Sequence, residues 1–98
     1  MATYKLYPAA VSDLEQIWRY SFDRWGINQA ELYTDDLISA FQMLANTPSL
    51  SRERDEFSPP VRIHPHARHL IVYLQADHGI DIVRVLHESM DVDTQLAD

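Results

Sequence analysis

Apolar residues repeat with three different periods along the chain, and each period predicts a different element. Thr3 to Tyr7, TYKLY, alternates and is rich in β-formers, so it predicts a first strand that Pro8 ends. Val11, Leu14, Ile17, Trp18, Phe22 and Trp25 then recur at helical spacing. Ser12-Asp13-Leu14-Glu15 reads as a capping box at the start of that helix, and Gly26 takes the place where a left-handed C-cap is usual. Asn28-Gln29-Ala30-Glu31 repeats the capping logic. Ala30, Tyr33, Leu37, Phe41 and Leu44 continue as a second stripe, flanked by Ile38 and Ala45, until Pro48. Two amphipathic helices with about two residues between them predict an antiparallel helical hairpin.

Residues 48–60 change character. Prolines, serines, arginines and acids crowd this stretch, which predicts a long loop with a functional role or mobility. Three β-like runs follow: Val61–His64, His69–Gln75 and Ile80–His87. Pro65-His66 is expected to turn the chain between the first two, and Asp77-His78-Gly79 between the last two. The predicted fold is α+β: an N-terminal strand, an antiparallel helical hairpin, then a three-stranded antiparallel meander covered on one face by the helices. Residues 88–98 are expected to make one helical turn around Met90 and Leu96 or to stay loose.

Length and composition narrow this further. The chain has 98 residues, which suits a single domain over residues 1–98. With no cysteine, disulfides and thiolate metal sites are excluded, and a reducing cytoplasm fits. No long apolar h-region is visible at MATYKLYPAA, and no apolar run approaches the ~20 residues that span a bilayer. Net charge is −7, from 15 carboxylates against 8 Lys and Arg, which argues against nucleic-acid binding by overall charge. The charge is uneven. Five arginines and four histidines lie between Arg52 and Arg84, and the tail after His87 is acidic.

Several segments carry a resemblance beyond composition. Asp13-Leu14-Glu15-Gln16-Ile17-Trp18, Arg24-Trp25-Gly26, Gln29-Ala30-Glu31-Leu32-Tyr33, Arg54-Asp55-Glu56, His69-Leu70-Ile71-Val72-Tyr73, Ile82-Val83-Arg84-Val85-Leu86-His87 and Met90-Asp91 together resemble the ParE branch of the RelE/ParE toxin superfamily. The likeness runs from about residue 4 to residue 91 in the right order. It implies the fold just described and a toxin of a bacterial type II toxin–antitoxin module. It also implies a ParD-like antitoxin partner, DNA gyrase as target, and inhibition without bond-making chemistry or a cofactor. The alternative is the RelE branch, which cleaves mRNA on the ribosome.

The candidate contact residues are Arg62, Arg68, Arg84 and His87, for the target or the antitoxin. In a ribonuclease the three arginines would hold phosphate and His87 would act as acid or base. Arg84 and His87 are three residues apart, so a regular strand sends them to opposite faces, Arg84 with Ile82 and Leu86, His87 with Val83 and Val85. Only a bulge or the strand's end would bring them together. Arg84 is expected to reach a helix carboxylate or the Asp55–Glu56 loop. Other groupings read as structure: HPHARH as exposed histidines rather than a zinc site, Asp35-Asp36 as a solvated helix face. Trp18 and Trp25, seven apart, are expected to pack on the core or in part to receive an antitoxin helix.

Overall fold

The computed structural model describes residues 1–96; the last two residues of the tail lie outside the described part. The elements follow in the order β1 (Thr3–Leu6), α1 (Pro8–Trp25), α2 (Ile27–Asn46), a 3-10 turn (Pro48–Leu50), β2 (Glu53–Arg54), β3 (Val61–His66), β4 (His69–Ala76), β5 (Gly79–His87) and α3 (Val92–Leu96). The strands form one sheet in the order β1-β5-β4-β3-β2. The expected meander is there, with a strand added at each edge, β2 beside β3 and β1 beside β5. The N-terminal strand returns beside β5 and runs parallel to it, from Thr3 opposite Gly79 to Leu6 opposite Ile82. A parallel neighbour needs a crossover connection, and the helical hairpin is part of it.

The helices begin earlier than the capping motifs suggest. Pro8 opens α1, where a missing N–H costs nothing and a fixed φ suits the first turn. Ser12 lies inside the helix, where its Oγ accepts from the Gln16 side chain at 3.3 Å. Gly26 alone joins the two helices at φ 89°, a conformation glycine adopts without strain. Its N–H donates to Phe22 O at 2.9 Å, and its carbonyl accepts from Ala30 N at 3.1 Å. Asn28 is therefore in the first turn of α2 and caps nothing.

The core lies between the hairpin and one face of the sheet. From α2 it takes Leu37, Phe41, Leu44 and Ala45; from the strands, Ile71, Tyr73, Ile80, Ile82 and Val85. The α2 stripe is buried as expected, whereas α1 buries much less of its apolar face. Its buried positions are Ala10, Asp13 and Ser21, while Phe22 and Trp25 stay exposed. Trp18 stacks on Phe22, centroids 5.2 Å apart, and Trp25 is 61% exposed, so the two tryptophans do not share a core face. A second, smaller cluster on the sheet's other face gathers Val61, Val72 and Leu86 with Phe57, Val92 and Leu96 around them. The tail thus forms a short helix, as one of its two expected states has it, but over Val92–Leu96 and with Met90 exposed.

Three further expectations are corrected. Pro65-His66 continues β3 instead of turning it: Pro65 pairs with Leu70 and His66 with His69, and Ala67-Arg68 make the turn, Ala67 at φ 52°. Beyond Val61 and Arg62 the outer side of β3 has no strand partner, so a proline there interrupts no ladder. The stretch 48–60 is no plain loop. It holds the 3-10 turn and β2, and it is tied to the sheet. Tyr73 Oη donates to Pro48 O at 2.7 Å, Arg62 Nη1 to Ser51 O at 2.6 Å, and Ser51 Oγ lies 3.0 Å from His64 Nδ1.

The parity expectation for β5 fails at a bulge. Tyr73 pairs with Ile82 but Val72 pairs with Arg84, leaving Val83 without a partner on β4. One extra residue reverses the alternation beyond it. Ile82 and Leu86 therefore lie in different clusters, and Val85 rather than Leu86 joins Ile80 and Ile82 under the helices.

Candidate functional site

Where α1 is only partly covered, the exit of β5 and the β3–β4 turn leave a cleft of about 950 Å³. Asp13, Ile17, Tyr20, Arg24 and Trp25 line it from α1, and Tyr33 from α2. Arg68, His69, Val85, His87 and Met90 close it from the sheet and the tail. The bulge in β5 shapes this site, because it turns Val85 towards the helices and the side chain two residues on, His87, lines the cleft with it.

At the inner wall Asp13 joins helix to strand. Arg84 donates to it twice, Nε to Oδ2 at 2.8 Å and Nη2 to Oδ1 at 2.9 Å, and Val85 N donates to Oδ2 at 2.9 Å. The pair is mostly shielded from solvent, with side-chain exposures of 24% and 10%. The Asp13 carboxylate raises the Arg84 pKa above its ordinary value. Both carboxylate oxygens are engaged, so Asp13 holds the bulged segment in place.

Tyr33, His69 and His87 form an aromatic chain along the floor. Tyr33 Oη lies 2.5 Å from His69 Nδ1, and the His69 and His87 rings meet edge to face, centroids 5.4 Å apart. Burial raises the Tyr33 pKa. Burial and then the neighbouring His87 lower that of His69 to about 4, so its ring is neutral at neutral pH and shares one hydrogen with the Tyr33 hydroxyl. The direction is set at His87: Ser89 N donates to its Nδ1 at 3.1 Å, with Ser89 Oγ at 2.7 Å. An Nδ1 that accepts from an amide is unprotonated, which leaves Nε2–H on the His87 ring.

The four candidate contact residues do not converge. Arg68 and His87 line the cleft. Arg84 stands behind it on Asp13. Arg62 serves the 48–60 segment, donating to Ser51 O and, at 3.4 Å, to Gln75 Oε1, and its buried Nε has no partner among the described residues. Asp13, Tyr33 and His69 matter at the site and were not among the candidates. Asp13 had a signal: an acid on the core face of α1, three residues after Ala10 and four before Ile17. HPHARH does not gather a metal site either. His64 bonds Ser51, His69 bonds Tyr33, and no group of three metal-ligating side chains occurs among the described residues.

Comparison with known proteins assigns the family. A family model described as the ParE toxin of the type II toxin–antitoxin system parDE matches residues 4–92. This chain belongs to the ParE toxin family. It is 44% identical over 94 residues to Toxin ParE1 of Mycobacterium tuberculosis, covering 95% of this chain and 96% of that one. It is 32% identical over 96 residues to Toxin ParE1 of Caulobacter vibrioides, with 98% and 99% covered. It is also 32% identical over 99 residues to Toxin ParE of Escherichia coli, with 100% and 96% covered. The ParE fold matches a structure described as the chromosomal ParDE toxin–antitoxin system from P. aeruginosa at TM-score 0.74, covering 89% of this chain and 96% of that one at 19% identity. No helix of this ParE toxin is long and apolar enough, among the described residues, to cross a membrane.

Proposed function

We propose that this ParE toxin acts in the cytoplasm by binding DNA gyrase, that it makes and breaks no bonds, and that a ParD-like antitoxin neutralises it. One observation supports inhibition over catalysis. The carboxylate in the cleft is held by three donors from β5, and the Nδ1 atoms of both histidines are engaged, that of His87 by Ser89 N and that of His69 by Tyr33 Oη. Metal-independent RNA cleavage needs a group that can take the 2′-hydroxyl proton. The overall charge of −7 also disfavours a polyanionic substrate.

In this reading Arg68 and His87 touch the partner. Arg84 acts through Asp13 by fixing the β5 bulge, and Arg62 acts by holding the 48–60 segment. The test is a supercoiling assay with purified toxin and gyrase. The expected result is loss of supercoiling with cleaved DNA trapped, relieved by the antitoxin. Normal supercoiling, with mRNA cut on ribosomes by the wild type and left intact by His87→Ala, would replace this reading with the RelE-like one.

A further inference from the structure

We propose that the cleft between α1 and the β5 exit binds a free mononucleotide, its phosphate on Arg68 and Arg24 and its base against Trp25 and Tyr20. Four observations converge there. The volume, about 950 Å³, is that of a small-ligand pocket, which commonly measures ~300–1,000 Å³.

The cleft's charge runs against that of the chain. The net charge is −7, yet the lining presents the guanidinium groups of Arg24 and Arg68, neither ion-paired among the described residues. Asp13, the acid in the lining, is neutralised by Arg84. Glu88, next to His87 and exposed, adds a negative charge near Tyr33 and His69 on the floor, away from α1 where Arg24 stands. A local positive site in a low-dielectric wall concentrates compact anions, even on an acidic protein.

Hydrogen-bond polarity agrees with the charge. Ser89 N donates to His87 Nδ1, which leaves Nε2–H on that ring as a donor, and a phosphate has only acceptors.

Finally, Tyr20 and Trp25 are 56% and 61% exposed, large aromatic surfaces left uncovered beside those donors. Their rings meet edge to face at 6.0 Å, and the Arg24 guanidinium lies 5.3 Å and 6.0 Å from their centroids. Stacking on such rings is how proteins hold bases without reading their edges. A single nucleotide fits this arrangement better than a strand, whose many phosphates would meet the acidic remainder of the surface.

The proposal shares Arg68 and His87 with the partner contact of the gyrase reading, and direct binding of AMP tests it whether or not gyrase is inhibited. The full-length toxin, released from its antitoxin, is titrated with AMP, adenosine, inorganic phosphate, a 5′-phosphorylated oligonucleotide and a short acidic peptide. The Trp25 indole and histidine ring signals are followed by NMR. AMP is expected to shift both sets with a Kd below about 1 mM, at least tenfold tighter than adenosine or phosphate alone. Arg68→Gln and Trp25→Leu should each weaken AMP tenfold or more while core amide signals stay in place. No shift with AMP would overturn the proposal, as would phosphate binding as tightly as AMP. An oligonucleotide that binds more tightly would assign the site to a strand end. The acidic peptide binding where AMP does not would assign it to a protein segment.

Discussion

Gly79 shows how one residue can decide the strand order. Its φ is 139°, and a Cβ there would lie 2.1 Å from Thr3 O. The close approach of β1 to β5 requires a residue with neither a side chain nor a preference for negative φ. Gly79→Ala is expected to destabilise the fold by about 3 kcal/mol, read as a lower urea midpoint, with the loss centred on β1 amide protection. His69 sets a second residue-scale expectation. Its folded pKa, about 4, lies below its unfolded value of about 6.5. The unfolded chain therefore binds the extra proton first, and stability falls as pH drops through the window between those values. Because His69 is about half solvent-screened, the loss is roughly 1–2 kcal/mol by pH 4. In urea melts across that range, His69→Asn should flatten the slope; an unchanged slope would assign the pH response to other groups.

Element-scale legibility followed burial. The α2 stripe was plain because Leu37, Phe41 and Leu44 are fully buried and keep strict helical spacing. The α1 stripe misled because Ile17 and Trp25 line the cleft and Val11 and Phe22 stay exposed, while the buried positions of the helix are Ala10, Asp13 and Ser21. The β5 bulge was illegible. IVRVLH alternates no differently with or without it, and only pairing with β4 fixes the register. With the bulge hidden, so was the face on which His87 lies. The Asp13–Arg84 pair joins α1 to this irregular strand, and Asp13→Asn, which breaks the pair and leaves a guanidinium without its counter-charge, should cost about 2–4 kcal/mol in a thermal or urea melt. Asp13→Leu with Arg84→Met should recover much of that stability. It should still loosen the β5 exit, seen as faster hydrogen exchange at Val85 and His87. If the double variant exchanged like wild type, the pair would be a stability feature with no bearing on the site.

At the scale of the molecule, the order strand, helical hairpin, meander was readable because each segment has its own period and punctuation. The parallel return of β1, and the sharing of the second sheet face by Phe57 and α3, were not readable, since both depend on contacts far apart in sequence. The same holds for the site. Arg68 and His87 stood out as residue types, but Tyr33, His69 and Asp13 gain their meaning from partners 18 to 72 positions away. The assembled cleft joins two arginines outside any ion pair among the described residues, a fixed His87 donor and exposed aromatic rings, the features on which the proposed binding role rests. The measurement that tests this most directly is a titration of gyrase with the purified toxin, with ribosome-bound mRNA assayed in parallel. The account predicts inhibition of supercoiling that saturates near equimolar toxin and leaves the mRNA intact. Active gyrase at excess toxin, with mRNA cleaved by substoichiometric amounts, would contradict it.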